Sequence, residues 1–191
     1  DHPRWIYVGG NGDIFVAEAN TVSDGFKKTG IASTERNTSK NCILLLRDAN
    51  HDGVPEMKEL FLSGLNRPLG MLILNGKFYV ANTDGLWTYP YTTGQTKITA
   101  KGTKILDLPA GGYNNHWTRN LLASRDGKKI YITVGSGSNV AEHGIDNEKR
   151  RADILEINPD GSGERLYAGG LRNPVGLAWA PGTNTLWTAG T

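Results

Sequence analysis

The chain has 191 residues, a formal net charge of +2 and a single cysteine, Cys42. This length fits one domain of ordinary size, and Lys and Arg are too dispersed to form a nucleic-acid face. One cysteine excludes an internal disulfide and any two-cysteine metal or redox motif. The longest apolar runs, such as Ile43–Leu46, cover only a few residues, so we expect no membrane span. The opening Asp1–Arg4 lacks the regions of a secretion signal, and we expect it to follow a processing or cleavage site.

In chain order, the first elements to emerge are four hairpins of similar pattern. Each has a polar opening, an apolar strand, a turn rich in Gly, Asn or Asp, and a second apolar strand. Self-similarity of this kind indicates a repeat architecture. The four segments begin at His2, Asn66, His116 and Leu171.

Material for two further strands follows each of the first three hairpins. In chain order the predicted pairs are Cys42–Arg47 with Met57–Phe61, Gly85–Tyr91 with Thr103–Leu108, and Ala152–Asn158 with Arg165–Ala168. No segment has convincing helical periodicity. The sequence therefore predicts an all-β fold, a β-propeller of four-stranded antiparallel blades. The predicted blades span residues 2–63, 66–113 and 116–168, and the first hairpin of a fourth starts at residue 171.

This prediction raises a question of closure. The sequence accounts for about three and a half blades, whereas propellers have roughly four to eight. A partial propeller exposes a raw sheet edge. We therefore expect a missing propeller half, supplied by a longer form of the same protein or by a second chain. A self-contained β-sandwich is the structural alternative.

The predicted blades gather the long connections at one end. In a blade with strands A to D, the D-to-A and B-to-C connections share one end, and the two tight turns share the other. The insertions Thr21–Asn41 and Gly135–Arg151 are B-to-C loops. Loops gathered at one end of a rigid scaffold suggest a binding face. The same end carries the D-to-A openings His2, Asn66-Arg67, His116 and Arg172-Asn173.

His116 is the leading candidate for chemistry at that end. A neutral imidazole near the mouth of a central pocket can accept a proton at physiological pH. Arg172 and Asn173 occupy the equivalent place one blade later, where an arginine could stabilise an oxyanion or hold a carboxylate. Three other interpretations stay open: His116 caps a strand, Trp117 beside it only packs, and Arg172 pairs with an acidic group of a neighbouring blade.

A second candidate site lies in the loop Asp48–Glu59. Its spacing matches that of a calcium-binding EF-hand loop, with oxygen-bearing side chains at alternate positions. The flanking segments are predicted strands and not the helices of an EF-hand, so we expect no EF-hand here. The sequence predicts either a structural Ca²⁺ held by Asp48, Asn50 and Asp52 or a plain Asx turn, at the end opposite His116.

The segments HWTRNLLASRDGKKIYITVGSGSNVAE, ILEINPDGSGERLYAGGLRNPVGLAW and HPRWIYVGGNGDIFVAEAN together resemble the glucose/sorbosone dehydrogenase family. The resemblance covers nearly the whole chain but only about half of a family member. It implies a six-bladed propeller, a periplasmic or secreted location, the cofactor pyrroloquinoline quinone and Ca²⁺. The implied partners are a small sugar substrate and an external electron acceptor.

The resemblance also implies roles for particular residues. His116 would take the proton of the sugar hydroxyl while hydride passes from the anomeric carbon to the quinone, and Arg172 and a bound Ca²⁺ would polarise the quinone carbonyl. Arg172, Asn173 and Arg67 would contact the cofactor. Two positions depart from the family pattern: Asn115 stands where glucose-oxidising members have a carboxylate, and Arg67 follows Asn66 where glutamine is common. The alternatives are a non-catalytic propeller that binds a ligand or protein, and a Ca²⁺-dependent lactonase-type propeller.

Overall fold

The strands pair in the order of the sequence, as a series of antiparallel meanders. The computed structural model describes residues 2–20 and 39–191, so most of the predicted insertion Thr21–Asn41 lies outside the described residues. The first sheet contains β1 (Pro3–Val8), β2 (Ile14–Glu18), β3 (Cys42–Arg47) and β4 (Met57–Leu62). The second contains β5 (Met71–Leu74), β6 (Lys77–Asn82), β7 (Gly85–Pro90) and β8 (Thr103–Asp107).

The remaining strands continue this pattern. The third sheet contains β9 (Leu121–Ala123), β10 (Ile130–Val134), β11 (Asp153–Ile157) and β12 (Arg165–Ala168). The fourth has two strands, β13 (Pro174–Trp179) and β14 (Leu186–Gly190). The predicted all-β fold of four-stranded antiparallel blades is confirmed.

Small differences from the predicted strands have local causes. The third strand of the third sheet begins at Asp153 and not at Ala152, because Ala152 has a φ of 55° and cannot continue an extended strand. The same strand ends before Asn158, which opens the turn to Ser162 through backbone hydrogen bonds. A 3₁₀ helix at Ile145–Glu148, inside the loop between β10 and β11, has no counterpart in the prediction.

The core forms between neighbouring sheets because successive strand residues point to opposite faces. Phe78 of β6 packs toward the first sheet, where its ring centroid lies 5.0 Å from those of both Phe15 and Phe61. The next residue, Tyr79, faces the third sheet and packs with Ile132 and its neighbours. The central sheet is thus buried on both faces, which accounts for the continuous apolar pattern of β6.

The inner ends of the first three sheets meet in a small apolar cluster. Trp117 is 8% exposed and packs with Ala19 and Leu69, against the half-buried Trp5. Trp117 therefore contributes packing, as one of the interpretations left open above expected. The cluster fixes the connection between β8 and β9 against the two preceding sheets.

Two further observations concern Cys42 and the expected absence of membrane spans. Cys42 is buried, and burial raises the pKa of its thiol, so it stays a protonated strand residue. Within residues 2–20 and 39–191, no helix has the length and apolar character needed to cross a membrane.

The aromatic contact between the first two sheets gives a stability test. Phe78→Ala removes a fully buried ring and should lower the free energy of unfolding by about 3–5 kcal/mol. The measurement is urea unfolding monitored by fluorescence. Val54→Ala, at a side chain that is 67% exposed, is the control and should change stability by about 0.5 kcal/mol or less. Equal effects of the two substitutions would contradict the packing described here.

Candidate functional site

The start of the loop between β10 and β11 lies directly against His116. Gly135 follows β10, and a Cβ on it would lie 2.6 Å from both the His116 Cβ and the Asn173 Oδ1. Only glycine permits His116 and the Asn173 side chain to approach the backbone here so closely. Gly135 thus brings His116 and Asn173, which are far apart in sequence, to one point.

The imidazole of His116 is half-buried and held on one side. Its Nδ1 lies 3.1 Å from the Ser136 carbonyl oxygen and 2.9 Å from the Ser136 Oγ. Burial lowers the pKa of His116, and the positive charge of Arg172 lowers it further, against the opposing effects of the Ser136 hydrogen bond and two glutamates. The ring is therefore neutral at physiological pH, the state needed to accept a proton.

Arg172 lies beside His116 and is exposed. Its backbone carbonyl accepts a hydrogen bond from the Ser136 N–H at 2.7 Å. Its guanidinium donates to Asn139, from Nε to the carbonyl oxygen at 3.0 Å and from Nη2 to Oδ1 at 2.7 Å. Among the described residues Arg172 forms no ion pair, so the expected alternative of an acidic partner in a neighbouring blade has no support there. The guanidinium is positioned by a neutral partner and keeps its charge and further N–H donors available.

Asn173 belongs to the framework of the same site. It is 8% exposed, and its Nδ2 donates to the Thr191 Oγ1 at 3.0 Å. Its Oδ1 lies 3.5 Å from the Thr118 Oγ1. Both ends of the amide thus have protein neighbours, and a contact from Asn173 to a cofactor stays a prediction.

Arg67 lies in the connection between β4 and β5, at the same end of the sheets. Its φ of 49° resembles the 52° of Arg172, and both residues precede a proline in their turns by one or two positions. The backbone around it is held by a hydrogen bond from the Thr83 N–H to the Asn66 carbonyl at 3.0 Å. The two connections therefore have related geometry, and the cofactor contact of Arg67 stays a prediction.

Arg119, a buried arginine that was not predicted as a site residue, supports the backbone of His116. Arg119 is fully buried and donates to the carbonyl oxygens of His116 at 2.9 Å, Thr118 at 2.8 Å and Pro109 at 2.8 Å. Burial, together with the charge of Arg151, lowers the pKa of Arg119 to about 9, which still leaves it charged at neutral pH. Its charge is offset by carbonyl dipoles rather than by a bonded carboxylate.

The segment Asp48–Glu59 covers the turn between β3 and β4 and the first three residues of β4, at the end of the sheets opposite His116. Ligand atoms of Asp48, Asp52 and Glu56 come within 4.8 Å of one another. Most of these oxygens already accept backbone hydrogen bonds; for example, Asp48 Oδ2 accepts from Gly53 N at 2.8 Å and Asn50 Oδ1 from Asp52 N at 2.9 Å. The loop is an Asx-type turn, and metal binding by Asp48, Asn50 and Asp52 stays a prediction.

The residues that hold His116 and Arg172 in place were not predicted from the sequence. Ser136 and Asn139 make these contacts, and Glu148 supports the turn that contains Ser136. The available signal was the pattern Gly-Ser-Gly-Ser directly after a buried strand. Small residues in alternation at a strand end indicate close backbone approach combined with local hydrogen bonding.

Arg119 yields a stability prediction. Arg119→Met leaves buried carbonyl oxygens without a donor and should lower the free energy of unfolding by about 3 kcal/mol or more. The control is Arg125→Met, because Arg125 also donates to backbone carbonyls, of Ala180 and Thr183, but is exposed. Its loss should cost about 0.5 kcal/mol or less in the same urea titration. A change of that small size at Arg119 would contradict the supporting role.

Asp153 yields a pH prediction. Burial raises its pKa to about 6 from the ordinary 3.8, so the fold disfavours its charged form. The contribution of Asp153 to stability should therefore be most favourable below pH of about 4, fall as the pH rises to about 6, and stay lower above that. Asp153→Asn removes the titrating group, so the variant should gain melting temperature over the natural protein above pH of about 6. Melting curves across this range check the sign, and a difference independent of pH would contradict it.

Comparison with known proteins places the fold. The chain aligns with the pyranose dehydrogenase PQQ domain of Coprinopsis cinerea with a TM-score of 0.68 and 19% identity, covering 94% of this chain and 41% of that one. For the PQQ-bound aldose sugar dehydrogenase of Streptomyces coelicolor the TM-score is 0.66 and the identity 15%, covering 98% and 56%. An uncharacterized protein of Borreliella burgdorferi is 24% identical over 131 residues, which are 64% of this chain and 34% of that protein.

These likenesses establish the propeller fold and agree, at the level of fold, with the resemblance to glucose dehydrogenase-like proteins. The chain spans about half the length, or less, of the proteins it matches. A protein-family model matches residues 1–189 of the chain. The chain therefore belongs to the family described as Domain of unknown function (DUF7133).

Proposed function

We propose that the chain carries part of the active site of a quinoprotein oxidoreductase, which oxidises an aldose or a related sugar or aldehyde with pyrroloquinoline quinone. The observation that carries this proposal is the meeting of His116 and Arg172 at one turn. The imidazole of His116 bonds to Ser136, and the backbone carbonyl of Arg172 accepts from the Ser136 N–H. The guanidinium of Arg172 is close enough to lower the pKa of His116. These two groups are a proton acceptor and an anion-binding group, the pair that oxidation of an alcohol by an anionic quinone requires.

The residues at this point fit the chemistry of the cofactor. Pyrroloquinoline quinone carries carboxylates and quinone carbonyls, all of them hydrogen-bond acceptors. Arg172 is exposed, and its bonds to Asn139 leave further N–H donors for such a group. Arg67 and Asn173 are proposed as additional contacts from neighbouring connections. When bound, the quinone would supply the acceptor for a hydride from the anomeric carbon.

The role of the protein's own residues follows from their charge states. The sugar hydroxyl would give its proton to the Nε2 of His116 as the carbon–oxygen double bond forms and the carbon–hydrogen bond breaks. Neutral His116 can take that proton because burial and Arg172 lower its pKa. Arg172 would hold the negative charge that develops on the cofactor oxygen.

No step in this proposal passes through calcium. In residues 2–20 and 39–191, the one group of acidic side chains close enough to share an ion is Asp48, Asp52 and Glu56, at the opposite end of the sheets. An ion held there by Asp48, Asn50 and Asp52 would stabilise the turn and take no part in catalysis. This structural Ca²⁺ is a separate proposal.

We propose further partners and a location from two grounds, which are exposed apolar side chains on the outermost strands and the resemblance to glucose/sorbosone dehydrogenases. Two apolar side chains of β1, Ile6 and Val8, are each 60% exposed, and Trp187 of β14 is 59% exposed. Further blades, from the same polypeptide or a second chain, would cover these strands and complete the ring. An external acceptor would reoxidise the cofactor, and the resemblance favours a periplasmic or secreted location.

The first test is a titration of the natural full-length protein with pyrroloquinoline quinone and Ca²⁺. We expect saturable binding in the absorbance of the quinone, followed by bleaching when aldoses are added. Absence of binding would overturn the oxidoreductase proposal in favour of a non-catalytic propeller. Hydrolysis of sugar lactones in the presence of Ca²⁺ alone would favour the lactonase alternative.

The second test removes the proposed base. His116→Ala should leave quinone binding within about twofold and lower turnover by about 10²–10⁴-fold, as expected for loss of a general base. The matched control is His143→Ala, because His143 is an exposed histidine of the loop between β10 and β11 whose ring contacts Tyr113. The control should retain turnover. Retained turnover in His116→Ala would contradict the assignment of His116 as base.

A further inference from the structure

We infer that Ser136 fixes the neutral imidazole of His116 in the tautomer with the proton on Nδ1, so that Nε2 is the proton acceptor. We further infer that Glu148 holds the turn in which Ser136 does this. The consequence for turnover rests on the proposed function, whereas the tautomer itself does not. Both are positioning residues, because they act through His116.

The tautomer follows from where the hydroxyl hydrogen of Ser136 goes. The Ser136 Oγ lies 2.6 Å from the carbonyl oxygen of Ser138, and a carbonyl can only accept. The hydroxyl therefore donates to Ser138 and offers only lone pairs to His116. The other neighbour of Nδ1, the Ser136 carbonyl oxygen, can also only accept. With acceptors at 2.9 Å and 3.1 Å, Nδ1 must carry the hydrogen.

The opposite ring nitrogen is left for chemistry. Among the described residues, no hydrogen-bond partner of His116 Nε2 is found. With Nδ1 protonated, Nε2 has a free lone pair on a neutral ring. In the other tautomer, with the hydrogen on Nε2, the lone pair of Nδ1 would point at two acceptors, which is unfavourable. Nε2 would then have no lone pair with which to accept a proton from a substrate. Ser136 thus supplies what Asn115, an amide in place of a carboxylate, does not.

The turn that presents Ser136 is fastened on both sides. Glu148, in the 3₁₀ helix Ile145–Glu148, accepts from the Gly137 N–H at 2.8 Å and from the Ser138 Oγ at 2.9 Å. On the other side, the Gly137 carbonyl accepts from the Asn115 N–H at 2.9 Å. Ser136 and Ser138 are 6% and 1% exposed, so these bonds lie out of water and are costly to break.

Other charges act on the same ring and need separate control. Arg172 lowers the pKa of His116, while Glu148 and Glu142 both raise it. Glu142 accepts backbone hydrogen bonds from Asn139 and Val140 and has a side-chain contact with Ser138, but it does not bond Gly137, whose N–H is held by Glu148. Removing the charge of either glutamate should lower the pKa of His116, and only the change at Glu148 should loosen the tautomer. Glu142→Gln is therefore the matched control for Glu148→Gln.

The decisive experiment is nuclear magnetic resonance on the full-length protein labelled with ¹⁵N-histidine. The chain has four histidines, and His116→Gln identifies the signals of His116 by their loss. Two-bond ¹H–¹⁵N correlations distinguish the protonated from the unprotonated ring nitrogen. At a pH above the pKa, we expect protonated Nδ1 and bare Nε2 in the natural protein. A dominant Nε2–H form would overturn the inference, whatever the turnover.

The variants test the positioning roles. Ser136→Ala removes the Oγ acceptor at 2.9 Å and leaves the backbone carbonyl at 3.1 Å, so it should admit a detectable minor Nε2–H population, and Glu148→Gln should do the same by loosening the turn. Each should lower kcat by about tenfold, because the ring loses its fixed orientation, with KM for the aldose little changed. Glu142→Gln should shift the pKa downward and keep the single tautomer. If Ser136→Ala fails to fold, as judged by circular dichroism, Glu148→Gln carries the test. An unchanged tautomer in Glu148→Gln would overturn the role of Glu148.

The outcomes separate this inference from the proposed function. A protein with protonated Nδ1 that neither binds quinone nor oxidises aldoses supports the inference and overturns the proposed function. A protein that turns over aldoses with the hydrogen on Nε2 supports the proposed function and overturns the inference.

Discussion

The buried guanidinium of Arg119 is the interaction on which the candidate site depends. The connection between β8 and β9 has no strand to satisfy its backbone, yet Asn114, Trp117 and Arg119 in it are buried. Arg119 donates to the carbonyl oxygens of His116, Thr118 and Pro109, and to the Asn114 Oδ1 at 3.2 Å. Buried carbonyls need donors, and one rigid planar group supplies several at once. The backbone of His116 is therefore fixed before any ligand arrives.

A second constraint is the close approach of the loop after β10. Gly135 and Gly137 stand where a Cβ would collide with neighbouring backbone, at 2.8 Å from the His116 carbonyl oxygen and 2.9 Å from the Tyr113 carbonyl oxygen. Ser136 lies between these two glycines, and its short side chain forms hydrogen bonds within this crowded space, to His116 Nδ1 and to the Ser138 carbonyl oxygen. The glycines of this loop thus allow the backbone to approach His116, and the serine orients the imidazole by hydrogen bonding.

The two ends of the sheets differ in how their polar groups are satisfied. The turn at Asp48 satisfies its own backbone with local side chains, and its contacts are exposed. At the other end, Arg172 and Asn139 join segments 33 residues apart, and the bonds of His116 to Ser136 span 20. Long-range polar contacts leave side chains oriented by the fold yet open on one side, and such an arrangement suits ligand binding.

The sequence by itself determined the strands and the end at which His116, Arg172 and Asn173 gather. Both follow from local rules: alternation sets which residues face a neighbouring sheet, and the order of strands in a meander sets which connections share an end. Only the tertiary structure decided that Ser136 holds His116, that Asn139 holds Arg172, and that Arg119 is buried with carbonyl partners. No local pattern encodes these contacts, because each joins segments that become neighbours only when sheets pack and backbones approach within hydrogen-bond distance.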